Sequence, residues 1–201
     1  MATEPLDIIN QLYPPETEAH AILTAHCRAV AGRALAVAAR YRELHPDRPV
    51  PDMQFIEEAA LLHDIGIYLT HAPAIGCHGP HPYVCHGVLG RAVLEERGLF
   101  RHALVCERHV GVGLTVREIR EQQLPLPERD MRPQSLEEKI ICYADKFFSK
   151  KWQQHSRALP LESVVKNLGH YGEDKVSRFL EWRAHFEEGG ESPLLNAEAA
   201  S

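Results

Sequence analysis

The chain contains no Cys-x-x-Cys pair, and its five cysteines (Cys27, Cys77, Cys85, Cys106 and Cys142) are odd in number. That argues against a disulfide framework or a zinc ribbon and leaves the thiols as buried, reduced, effectively apolar residues. No basic block interrupts a formal net charge of −6, so neither a nucleic-acid polymer nor an anionic membrane is expected as the main partner. No uninterrupted apolar run approaches the ~20 residues that span a bilayer. The start, Met-Ala-Thr-Glu-Pro, lacks the basic and apolar regions of a secretory signal, and a cytoplasmic location is the resulting expectation. There is no useful period-two alternation and no internal repeat, so strands are not expected to build the fold.

What is present is helical periodicity. The 201 residues suffice for one domain with a substantial core. Residues 16–44 place Ile22, Leu23, His26, Val30, Ala34, Val37 and Tyr41 at three- and four-residue steps, with Pro14 and Pro15 before and Pro46 after. Asp52 is a good N-cap for a second helix running to His63. Residues 67–82, with three prolines and two glycines, read as an irregular loop. Its His71, His78 and His81 read as solvent-exposed, with a lid as the alternative. Further helices are expected from about residue 83 to Glu96 with Gly98 as a stop, from Leu99 to His109, and from Glu173 to Glu188. Thr115-x-x-Glu118 and Ser135-x-x-Glu138 are capping boxes, the second opening a helix through Asp145 to Phe148. The expected class is all-α, a single-domain irregular helical bundle. Its parts are an N-terminal segment (1–15), the domain with its C-terminal helices (16–188) and a flexible tail (189–201).

The most informative stretch is Leu-Leu-His-Asp-Ile-Gly at 61–66. Adjacent side chains inside a helix diverge by about 100°. A left-handed Gly66 ending the helix after His63 and Asp64 would let the two converge. His26, His86, His109 and Asp145 each fall within or beside the apolar stripe of their own segment. An inward carboxylate such as Asp145 is costly unless paired or bound to metal. Histidine nitrogens with aspartate oxygens suit transition metals rather than calcium.

The order His, His-Asp, His, His, Asp resembles the HD-domain superfamily (HDIG-type) of metal-dependent phosphohydrolases over roughly residues 16–150, and specifically its binuclear branch. The resemblance implies His26, His63, Asp64 and Asp145 on one metal, and His86, His109 and the other oxygen of Asp64 on a second. The implied cofactors are two divalent transition metals per chain, Fe or Mn first, with Zn, Co or Ni compatible. The implied activity is cleavage of a small phosphate ester, foremost a nucleotide, by a metal-bound hydroxide, with Asp64 and Asp145 catalytic. Many members carry a lysine three residues after the aspartate, where this chain has Ile67. Lys146 and Arg108 are candidate substrate-binding replacements, each alternatively an exposed helix charge. Tyr-Ala-Asp-Lys at 143–146 resembles small nucleotide-cleaving HD proteins, including the symmetrical diadenosine-tetraphosphate hydrolases. Gly-Val-Gly-Leu-Thr (111–115) and Pro-Leu-Pro (125–127) are similar to a stand-alone group of small HDIG-type proteins. Two alternatives share the ligand types: an HD-type diiron oxygenase, and a non-catalytic metal-bearing or nucleotide-sensing module. The sequence sets no oligomeric state.

Overall fold

The computed structural model describes residues 4–150 and 158–190, and within them the protein is all-α. The helices are α1 (Pro5–Leu12), α2 (Glu18–Leu44), α3 (Met53–Leu62), α4 (His86–Glu95), α5 (Phe100–Arg108), α6 (Val116–Glu121), α7 (Leu136–Asp145), α8 (Leu161–Gly169) and α9 (Glu173–Glu187). Local chemistry starts several of them, at Asp52 and Thr115 as the sequence predicts. The Asp52 side chain accepts from the Phe55 amide and both arms of the Thr115–Glu118 capping box form, while Thr17, a cap not expected from sequence, accepts from the His20 amide. At the second box only one arm is made. Ser135 accepts from the Glu138 amide, while the Glu138 carboxylate accepts instead from Gln134 N–H and Arg108. Arg108 and the Gln134 amide together draw the carboxylate away from the Ser135 amide.

Two hydrophobic clusters make the core. One joins α3, α7, α8 and α9 to the C-terminal part of α2, around Tyr143, Phe179 and Phe186. The other joins α1, α4 and α5 to the N-terminal part of α2, around Ile8, Ile22, Ile65 and Leu94. Burying each such isoleucine stabilises the fold by roughly 1.5–3 kcal/mol. The candidate ligands lie at the seam. His26 follows Leu23 and precedes Cys27 of one cluster, one turn before Val30 of the other, and His63 follows Ala60 and Leu62, one from each. By length and mean hydropathy alone α2 is long and apolar enough to cross a membrane, although Arg28 and Arg33 interrupt its apolar run. Its alanine-rich face is spent inside the domain, where ten of its residues are buried.

Several expectations are corrected. Two short helices, α1 and α8, were not anticipated; Ile8 and Ile9 of α1 are fully buried, so the segment before Pro14 belongs to the core. Residues 67–82 are more regular than a loop: a 3-10 turn (Ile65–Leu69) leads into a small antiparallel hairpin, β1 (His71–Ala72) with β2 (Cys77–His78). Helix α7 ends at Asp145 rather than Phe148. Gly66 does not adopt a left-handed backbone. It is required for another reason: a Cβ there would sit 2.3 Å from both Gly90 N and His86 O, so its absence lets α4 approach. Of the expected tail, residues 191–201 lie outside the described residues.

Candidate metal centre

Convergence of His63 and Asp64 comes from the end of α3. His63 remains helical (φ −57°, ψ −28°), and Asp64 departs (φ −105°, ψ 10°) as the chain tightens into the 3-10 turn. That change of direction turns two neighbouring side chains toward one place. His26 reaches it from the middle of α2, His86 from the first residue of α4, His109 from the C-cap of α5, and Asp145 from the last residue of α7. All six are buried.

The donor atoms fall into two sets, each with all its atoms within 4.8 Å of one another: His26, His63, Asp64 and Asp145, and Asp64, His86 and His109. Asp64 belongs to both, with one oxygen facing each. Its Oδ2 lies 3.2 Å from His26 Nε2 and 3.1 Å from His63 Nε2. Its Oδ1 lies 3.4 Å from His86 Nε2 and 3.3 Å from His109 Nε2. Asp145 Oδ1 closes the first set at 3.1 Å from His26 and 3.4 Å from His63.

The tautomers show what this arrangement fits. His63 Nδ1 donates to Ala60 O (2.7 Å), His86 Nδ1 to Tyr83 O (2.7 Å) and His109 Nδ1 to Cys106 O (2.8 Å). A carbonyl can only accept, so each of these rings, whenever it is neutral, presents its Nε2 lone pair to the centre. His86 and His109 point these lone pairs at each other across 3.0 Å. Burial pushes His86 down to about 3 and lowers His109 as well, so both rings are neutral at pH 7. His26 Nε2, His63 Nε2, both Asp64 oxygens and Asp145 Oδ1 are buried without a hydrogen bond of acceptable geometry. Orphaned polar atoms of this kind cost several kcal/mol unless something satisfies them. Backbone carbonyls fixing the far ring nitrogen are the usual outer partners of metal-binding histidines. The residues therefore fit divalent transition metals.

Electrostatics agree. Burial would raise Asp64, but His63 and Lys150 outweigh it and hold the carboxyl well below the usual carboxylate range. Asp145 is likewise held low against its burial by Lys146 and Lys150. Burial would lower His63, but Asp64 beside it raises it well above its ordinary value. The site calls for positive charge next to Asp64.

A cavity of about 610 Å³ opens from His86, His109 and Asp145. Lys146 and Lys150 line the same end, the walls include Leu124, Phe148 and Leu168, and Gln122 and Asn167 stand at the exposed rim. Lys146 Nζ lies 2.7 Å from Asp145 Oδ2 and donates to His109 O at 3.2 Å. Arg108 is not among the lining residues; its guanidinium lies 3.0 and 3.1 Å from the two Glu138 oxygens. His71, His78 and His81 are exposed and also outside the cavity lining. Sequence reasoning missed Tyr83, whose ring stacks on His86 at 4.7 Å, and Lys150, whose Nζ lies 2.7 Å from Asp64 Oδ2. Lys150 lies beyond the end of α7, where periodicity no longer assigns a direction.

An all-α bundle whose helix ends bring histidines and aspartates onto a shared carboxylate defines a class of metal-binding domain. The family model for the HD domain matches residues 23–149, and the chain belongs to that family. It is 36% identical over 121 residues to an uncharacterized protein of Methanocaldococcus jannaschii, covering 60% of this chain and 62% of that one. It is 33% identical over 99 residues (49% of this chain, 25% of the other) to a tRNA (cytidine(56)-2'-O)-methyltransferase of Picrophilus torridus. A protein of the same name from Thermoplasma volcanium is 28% identical over 158 residues, 78% of this chain and 39% of that one. The chain thus spans less than two thirds of the length of these curated relatives. No solved structure matches significantly.

Proposed function

We propose that the protein is a metal-dependent phosphohydrolase acting on a small phosphate ester, foremost a nucleotide. The observation that carries this reading is Asp64, with one oxygen toward each of two donor sets, whose members His86, His109 and Asp145 line a cavity that also holds two lysines. His26, His63, Asp64 and Asp145 would hold one metal, and Asp64, His86 and His109 a second. Bound there, a metal pair supplies Lewis acidity that makes water a nucleophile near neutral pH and neutralises phosphoryl oxygens. The chain's own groups do the rest. Carbonyl-fixed histidines keep the donor geometry, Asp64 orients the attacking water, and Asp145 is placed to accept its proton. Lys146 offers positive charge to a phosphate at the cavity's metal end. An apolar middle, with Phe148 for a flat ring, and amide side chains at the rim suit a nucleotide's base better than a bare sugar phosphate, and the volume lies in the range of small-molecule sites.

The methyltransferase name describes proteins of which this chain matches a quarter to two fifths, so the proposal rests on the site instead. With a net charge of −6, a small-molecule partner is proposed rather than a nucleic-acid polymer or a membrane, in a cytoplasmic setting. The test is turnover of a phosphate-ester panel after reconstitution with Mn or Fe, with and without oxygen. Phosphate release indifferent to oxygen supports the reading; oxygen consumption tied to iron replaces it with the oxygenase alternative. A His86→Ala/His109→Ala variant should drop metal content from two toward one per chain, measured by elemental analysis.

A further inference from the structure

Lys146 and Lys150 line the same end of the cavity but are held differently. The Lys146 ammonium is fixed from two sides, by the outer oxygen of Asp145 and the carbonyl of His109. Lys150 instead reaches Asp64 Oδ2, the oxygen that also faces His26 and His63. Tyr83 and Asp145 are also close enough to act on the Lys150 charge, and all three side chains line the cavity. A lysine has a flexible four-carbon stem and a compact charge, so its head can move several ångströms at little cost. A metal ion drawing on Asp64 Oδ2, His26 and His63 would face this ammonium across a few ångströms of buried space, where like charges repel strongly.

We propose that Lys150 is a switching cation: it neutralises Asp64 when no metal is held, and metal loading displaces it into the cavity, where with Tyr83 it binds an anionic oxygen of the ligand. The anion-binding half rests on the phosphohydrolase reading; the metal-displacement half does not. Lys150 then replaces, from another element, the ammonium that Ile67 leaves missing. It also makes the anion subsite conditional, because the charge becomes available only after metal has taken its place on Asp64. Closing Asp64 in this way spares the metal-free fold an unpaired buried carboxylate.

The test compares wild type, Lys150→Met and Lys150→Arg in the full chain by calorimetric titration, with circular dichroism to confirm folding. Titration of metal-free protein with Mn²⁺ should show Lys150→Met binding about tenfold more tightly than wild type, since a competing cation is gone. Lys150→Arg should bind no more tightly than wild type. Inorganic phosphate, titrated into Mn-loaded protein, should bind Lys150→Met about tenfold more weakly, with affinity largely restored in Lys150→Arg. Unchanged or weaker Mn²⁺ affinity in folded Lys150→Met overturns the displacement. A metal effect without a phosphate effect overturns the anion role. Both effects present with no ester hydrolysed would leave the switch standing and remove the phosphohydrolase reading. Should Lys150→Met misfold, Lys150→Gln carries the same expectations.

Discussion

Two groups of buried charge in this protein are built on opposite principles. Glu107 on α5 is 3% exposed, yet Arg91 Nη1 meets one of its oxygens at 2.5 Å and Arg129 Nε the other at 2.8 Å. The protein itself closes that site. Asp64 and Asp145 are also buried, but each has a lysine at 2.7 Å on one oxygen only, and the atoms around them are otherwise mainly histidine ring nitrogens, those of His86 and His109 held neutral by burial. A carboxylate satisfied by arginine forks is architecture. One surrounded by convergent donor atoms is a binding site, and the contrast separates them where burial alone does not.

The largest expected break in that contrast is Asp64→Asn. Both donor sets lose a charged ligand while the side chain keeps its shape, so turnover should fall by orders of magnitude and metal content should drop. Circular dichroism should remain near wild type, because the helices pack through their own apolar faces. Near-normal turnover with full metal content would show that Asp64 does not bridge.

Gly66→Ala attacks the same centre through the backbone. A methyl 2.3 Å from His86 O and Gly90 N must push α4 away and carry His86 with it. The expected loss is about 3 kcal/mol in urea unfolding, with reduced metal content in what remains folded. A stable variant with both metals retained would mean that α4 need not pack so closely.

Glu107→Ala should do the reverse. Stability should fall by about 2 kcal/mol, less than for a fully enclosed pair because the arginine side chains stay 25% and 47% exposed. Metal stoichiometry should be untouched; metal loss comparable to that in Asp64→Asn would erase the distinction between the two groups.

The smallest effect sharpens the comparison at the cavity's far end. Lys175 is buried against Glu118 and donates to Gly113 O at 3.1 Å. Burial would raise Glu118, but Lys175 and Thr115 outweigh it and hold the carboxyl below its usual range. Stability from such a group is present above its unfolded-state value and is lost as pH falls through the lower folded value. Glu118→Gln should therefore cost about 1 kcal/mol at neutral pH and flatten the acid limb of a stability–pH curve. An unchanged acid limb would assign the pair no net contribution.

Periodicity and capping made most of the fold legible: α2 follows from its apolar steps between flanking prolines, and α3 from its apolar steps and Asp52. They did not reveal α1 or α8, because eight or nine residues carry too few turns for a periodic signal, and tertiary burial stabilises such short helices. Gly66 was marked by sequence for the wrong reason, since a turn glycine and a close-approach glycine look alike until the neighbouring helix is in place.

The sequence by itself determined the ligand types and the helix faces that carry them. His26, His63, Asp64, His86, His109 and Asp145 each sit on or beside an apolar stripe, and a stripe must turn inward. Only the tertiary structure decided how they divide. Which Asp64 oxygen faces which histidines depends on how α2, α4, α5 and α7 meet the end of α3. It also decided the cations: Arg108 is taken by Glu138 from another helix, while Lys150, beyond the end of α7, reaches Asp64. Long flexible charged side chains find partners through space, and local sequence does not encode where those partners are.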